Sequence, residues 1–253
     1  MPNNNINRRV VLFPSLIDTR SLLDIPGPIL MVDHKNVSEA VGQPVPSWED
    51  PDVSGFTFAN AVGGEQPIKK ANYVEFDGVD DILYTTSLIS PAVGTVIWVE
   101  LMQQGVGFSE VIATSQTNDV QRIFGVGHTQ NNKMYVRSNR TGDAQYNQQY
   151  GPTVLPDDEF YIGICTADAA TWKLYLNGVE ETPVIGNGSN TGDFFKDATD
   201  TGADRLSMGG WFRTAGNIHR KVKLGVVCVW DRILTAEEQT YAVDLLKAEY
   251  GIS

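Results

Sequence analysis

From residue 73 onward, apolar and polar positions alternate in short runs separated by glycine, asparagine and aspartate, the period-2 pattern of half-buried strands. The runs fall at residues 73–76, 82–85, 95–102, 110–114, 122–126, 133–137, 160–166, 172–176, 205–208 and 222–230. In WKLYL, Trp172, Leu174 and Leu176 share one face against Lys173 and Tyr175. Asn177-Gly178 follows directly, and both residues tolerate the positive φ of a two-residue hairpin turn. A 3.6-residue period appears at the C-terminus. Thr235 and Glu238 have capping-box spacing, Ala242, Leu245 and Leu246 form one stripe, and Gly251 is a stop. The pattern predicts an all-β antiparallel jelly-roll sandwich closed by one short helix.

Residues 1–45 break this pattern. Pro14, Pro26, Pro28 and Pro44 interrupt them, with Pro46 just beyond, yet residues 10–13 and 29–32 are strongly apolar. Disordered tails are usually depleted in such residues. The expected organisation is an extended arm over 1–45 and a jelly roll over 46–253. Arg8, Arg9, Phe13, Leu16, Ile29 and Leu30 are the arm residues expected to contact other chains. A chain beginning at Pro46 is then expected to fold but not to assemble.

Charge narrows the partners. The net charge of −12 makes nucleic acid a poor partner. No apolar run reaches the ~18 residues of a membrane helix, and residues 10–13 are too short for a signal-peptide core. Cys165 and Cys228 lie in apolar strand-like runs and read as buried thiols, with a disulfide between neighbouring strands as the alternative. His34, His128 and His219 are scattered, with no zinc spacing and no Gly-x-Ser-x-Gly elbow beside them.

Four ordered segments carry a resemblance: YVEFDGVDDIL (73–83), WKLYLNGVEE (172–181), RLSMGG (205–210) and KLGVVCVWDRILTAEEQ (223–239). Together they resemble the LamG-like, concanavalin A-like jelly-roll superfamily over residues 48–250. PSWEDPDVSG (46–55) and LLKAEYGI (245–252) are further similar to jelly-roll proteins of bacteriophage virions. The resemblance implies a non-catalytic capsid decoration or tail-associated protein, made in the host cytoplasm and carried on the virion. Its partners would be other virion proteins, copies of itself and host-surface glycans. A free lectin-like carbohydrate-binding module is the alternative, and a glycoside hydrolase the second.

Three candidate chemistries remain. Glu75 and Asp77 have the i, i+2 spacing that puts both carboxylates on one strand face, as in glycosidases of this fold. Gly78 breaks the strand before Asp80, so a turn is the expected reading. Asp77, Asp80 and Asp81 offer hard oxygens to calcium, the one cofactor the chain suggests, and Asp193, Asp197, Asp200 and Asp204 form a second acidic group. Tyr146, Tyr150, Trp211, Phe212, Arg213 and Asn217 combine aromatic faces with planar polar groups, which suits a shallow glycan site or a protein interface equally.

Overall fold

The computed structural model describes residues 21–60, 62–103, 107–118, 123–139, 146–213 and 218–253. Asn217 and residues 1–20, with Arg8, Arg9, Phe13 and Leu16, lie outside the described residues. In chain order the first strands are β1 (Pro28–Asp33), β2 (Ser47–Glu49), β3 (Thr57–Ala59), β4 (Ile68–Lys69), β5 (Val74–Asp77) and β6 (Leu83–Thr85). Next come β7 (Gly94–Leu101), β8 (Ser109–Ser115), β9 (Ile123–His128), β10 (Met134–Asn139) and β11 (Asn147–Tyr150). Then follow β12 (Phe160–Ala167), β13 (Trp172–Leu176), β14 (Val179–Glu180), β15 (Val184–Asn187) and the short helix α1 (Phe195–Asp200). The chain closes with β16 (Arg205–Met208), β17 (Gly210–Trp211), β18 (Ile218–His219), β19 (Lys221–Trp230) and α2 (Ala236–Tyr250).

Two antiparallel sheets stack face to face. One has eight strands in the order β14-β13-β12-β7-β19-β5-β4, with β1 also paired to β19. The other has nine, in the order β15-β11-β10-β9-β8-β16-β6-β3-β2. Alternation along each strand sends Val96, Trp98, Val227 and Val229 inward from the first sheet, to meet Phe124, Val126, Met134 and Val136 from the second. The opposite face of the eight-stranded sheet is also apolar. Ile97, Val99, Ile162, Ile164, Val226 and Trp230 pack there against Leu245, Leu246 and Tyr250 of α2. This double covering explains why VVCVW in β19 reads as an unbroken apolar run. The same alternation separates the cysteines. Cys165 belongs to the inter-sheet core and Cys228 to the layer under α2, and both are free buried thiols.

The expected boundary between residues 45 and 46 is corrected by β1. Its residues pair with the second half of β19, from Pro28 opposite Trp230 to Asp33 opposite Val226, while β5 pairs with the first half. Leu30 is wholly buried in the inter-sheet core and Ile29 packs against it, so neither is free to dock elsewhere. The prolines border this strand but stay out of its interior, where they would block the ladder. The lead-in motif serves the same join. Trp48 donates its indole N–H to the Asp33 carbonyl at 2.9 Å, and buried Asp50 accepts the Met31 amide at 3.0 Å and the Ser54 hydroxyl at 2.6 Å. Residues 24–35 also reach α2 and its approach. Tyr241 Oη donates to Asp24 at 2.7 Å, Arg232 donates to the Pro26 carbonyl at 2.8 Å, and Lys35 pairs with Glu249 at 2.6 Å.

The expected hairpin and helix are present. Asn177 and Gly178 have φ of 50° and 88° and join Leu176 to its partner Val179. Thr235 and Glu238 form the capping box of α2, and Gly251 closes it at φ 67°. Gly178→Val is expected to destabilise the fold by roughly 1–3 kcal/mol, because a β-branched residue resists positive φ. Its new side chain would also press on Val243, whose Cγ1 lies 3.1 Å from the position of the added Cβ. A denaturant melt of the variant measures this. A chain beginning at Pro46 is expected to lose cooperative unfolding, whereas one beginning at Ser21 keeps it. Paired melting curves of the two truncations check that outcome.

Candidate functional site

The outward face of the nine-stranded sheet carries a polar cluster assembled from three strands and one connection. In β10, Met134 and Val136 point into the core, so Tyr135 and Arg137 face out. In β8 the register shifts between Glu110 and Ile112, which puts Val111 and Ile112 in the core and leaves Glu110 facing out. Strand β9, between them, presents Gly125 and Gly127 to this face. A Cβ on Gly125 would stand 3.5 Å from Cγ of Glu110, so the absent side chains leave a trough across which β8 and β10 touch.

Glu110 sits at the bottom of that trough with no exposed surface. It accepts a hydrogen bond from Tyr135 Oη at 2.6 Å and from Arg220 Nε at 2.8 Å, and it forms an ion pair with Arg137. Burial alone would raise its pKa, but the guanidinium groups of Arg137 and Arg220 hold it below the ordinary carboxylate range. Tyr135 moves the other way: burial, with Glu110 beside it, pushes its phenol well above the usual value. Glu110 is therefore a fixed anion and Tyr135 a fixed donor.

Above the trough lies Trp211. The β17–β18 hairpin folds over β8, and Trp211 packs with Ala113, Ile123 and Ile218. Its ring centroid is 4.0 Å from the Arg137 guanidinium, 4.8 Å from that of Arg213 and 5.7 Å from that of Arg220. Phe108 and Tyr146 flank Arg137 at 5.6 and 5.7 Å. Among the described residues, Arg137 Nε and Trp211 Nε1 in this group are buried donors without a hydrogen-bond partner.

Of the expected glycan- or protein-binding residues, Tyr146 and Trp211 thus meet at Arg137, and Arg213 lies over the Trp211 ring. Tyr150 lies further along, opposite Tyr135 on β11 and beneath Lys133. Phe212 stands apart, stacked on Tyr84 at 3.9 Å. Trp211 departs from the expected exposed platform, being only 7% exposed, because the hairpin presses it onto the sheet. Glu110, Tyr135, Arg137 and Arg220 were not anticipated. Their signal was available in the Tyr-x-Arg alternation of β10 and in the carboxylate of SEVIATS, which needs a cation among apolar neighbours.

A second buried network lies beneath, between the sheets. Glu100 accepts from Tyr161 Oη at 2.5 Å and Ser109 Oγ at 3.0 Å, and His128 Nδ1 is 2.9 Å from it. Ser109 Oγ also meets His128 through Nδ1, at 2.7 Å. A nucleophilic triad needs serine and carboxylate on opposite ring nitrogens, and here both use the same one. The set is a core hydrogen-bond network.

The acidic candidates serve local structure. Glu75 lies on the eight-stranded sheet, away from the trough, and pairs with Lys70 at 2.9 Å. Carboxylate oxygens of Asp77, Asp80 and Asp81 lie within 4.8 Å of one another. The turn accounts for that cluster: Asp77 accepts from the Val79 and Asp80 amides, and Asp81 from the Asp77 amide at 2.7 Å. The second acidic group is dispersed. Asp193 accepts from Ser138, Asp197 from the Phe194 amide and Asp204 from Thr117, while Asp200 pairs with Lys196.

No family model matches this chain, and no curated protein matches it. Its fold is shared with solved structures. One is the CBM40 module of the Ruminococcus gnavus IT-sialidase bound to α2,3 sialyllactose, with TM-score 0.55 and 13% identity, covering 86% of this chain and 99% of that one. Another is Trypanosoma rangeli sialidase in complex with 2,3-difluorosialic acid, with TM-score 0.55 and 16% identity, covering 86% of this chain and 33% of that one. A third is the leech intramolecular trans-sialidase, with TM-score 0.51 and 18% identity, covering 61% of this chain and 23% of that one. The chain therefore shares a β-sandwich fold with these proteins.

Asp81 gives a pH test of the turn. Burial, reinforced by Asp77 and Asp80, raises its pKa to about 6, against 3.8 ordinarily. Between those values the folded chain holds a proton that the unfolded chain has released, so stability falls as pH rises through this window. Asp81→Asn is expected to raise the melting temperature at pH 7.5 in chelator and to leave it unchanged at pH 3.5. A series of melts across pH on both proteins checks this.

Proposed function

We propose that this chain is a non-catalytic carbohydrate-binding module that takes an acidic glycan at the Arg137–Trp211–Arg220 face. The observation that carries the reading is a local surplus of positive charge on a chain of net charge −12. Three guanidinium groups surround one indole ring, and two of them, Arg137 and Arg220, share the single carboxylate of Glu110. Arg137 and Arg220 divide one negative charge between them, and among the described residues Arg137 Nε and Trp211 Nε1 have no acceptor. A planar guanidinium suits a carboxylate, and aromatic rings beside polar donors suit a sugar face. Arg220, with 22% of its side chain exposed, and half-buried Arg213 and Tyr146 are the groups a ligand meets.

Hydrolysis is a poorer fit. A glycosidase uses two carboxyl groups, one of them an acid able to give up its proton near neutral pH. Glu110 is held ionised by its guanidinium partners, and Tyr135 is held protonated. The sialic acid ligands of the similarly folded proteins agree with an acidic sugar here. As to setting, we propose from the sequence resemblance alone that the module is carried on a phage particle. Attachment would then fall to residues 1–20, since β1 belongs to the sandwich.

The test is calorimetric titration with sialyllactose and with lactose, its neutral core. Binding of the first and not the second is expected, weakening as salt is raised. Arg220→Gln leaves Arg137 to hold Glu110 and should keep the melting curve. It should weaken binding roughly 30-fold, the value of one charge-assisted hydrogen bond of about 2 kcal/mol. Equal binding of the neutral sugar, or an unaffected variant, would count against the acidic-glycan reading.

A further inference from the structure

Four large apolar side chains left in water stand on one rim of the sandwich: Val154, Val179, Val184 and Ile185. Val179 is on β14, the last strand of one sheet, and Val184 and Ile185 are on β15, the last strand of the other. Glu181 lies between them and accepts from the Thr153 amide at 3.1 Å and hydroxyl at 2.8 Å, which draws Val154 to the same rim. All four residues of β15 are exposed, and among the described residues its outer edge has no partner. Edge strands are usually guarded by a charge or an internal proline. Here no ionisable side chain occurs in residues 182–192, and Pro183 precedes the strand without entering it.

We propose that β15 pairs antiparallel with β15 of a second copy, joining two nine-stranded sheets across a two-fold axis. An antiparallel edge is complementary to its own reversed copy, because outward amides and carbonyls match when the strand is turned end for end. The charge distribution favours this occupant. Two chains of net charge −12 repel over most of their surfaces, and the uncharged segment 182–192 that holds β15 allows close approach. A strongly charged partner would find no opposite charge on the strand. Pairing covers Val184 and Ile185 with their own counterparts and satisfies the open edge. It leaves Trp211 and Arg220 free, so the dimer would carry two glycan faces.

Sedimentation equilibrium of the full chain tests this across low to high micromolar concentration. The expected wild-type mass at the upper end is that of two chains. Ile185→Lys and Asn187→Lys place a cation on the strand and are expected to give one chain with an unchanged melting temperature. Val79→Lys, at a valine 73% exposed on the turn after β5, is expected to keep two. A wild type that remains one chain throughout, or a dimer that survives both β15 substitutions, overturns the proposal.

Discussion

A carboxylate taken out of water must be answered by charge or hydrogen bonds, and Glu110 imposes that requirement on the whole outward face. Its answer comes from far apart in the chain. Tyr135 and Arg137 arrive on β10, and Arg220 arrives from the link into β19. The glycines of β9 clear the space between them. Once Arg137 is fixed there, its upper face is a cation without water, and the Trp211 ring covers it. The hairpin that carries Trp211 is thereby held on β8. One buried charge thus organises a sheet face, a hairpin and a cluster of donors.

Glu100 meets the same requirement differently. It lies between the sheets, and hydroxyls of Tyr161 and Ser109 together with His128 answer it. The two glutamates sit on either side of the β8 backbone, since Ser109 reaches one and Glu110 is the other. The inner network joins β7, β8, β9 and β12 through one carboxylate. The outer cluster instead reaches the surface, where Arg220 keeps 22% of its side chain exposed.

Much of the fold was legible because its signals are local. Alternation located β5 to β10, β12, β13, β16 and β19 but not the shorter edge strands, Asn177-Gly178 located a hairpin, and Thr235 with Glu238 located α2. What failed to show was non-local. PILMVD reads as part of a proline-broken arm because its partner is β19, about two hundred residues away, and no local pattern encodes that pairing. The site was half legible for a related reason. Tyr146, Trp211 and Arg213 stand out as loop aromatics and a cation, but Glu110, Arg137 and Arg220 gain meaning only when β8, β9 and β10 lie side by side. Burial was also misjudged: aromatic composition marks where rings are, while their exposure depends on what the hairpin presses against.

The placement of β1 beside β19 has a consequence for how the chain is made. Leaving the ribosome at ~5–20 residues per second, Pro28–Asp33 waits on the order of 10–40 s for its partner strand to be synthesised. During that interval the inter-sheet core lacks Leu30 and Val32, and the surface that α2 will cover is open. The sandwich therefore closes only after β19 has emerged, when the two ends of the described fold meet. A ribosome stalled anywhere before β19 holds a sheet without the strand that joins β1, β5 and β7.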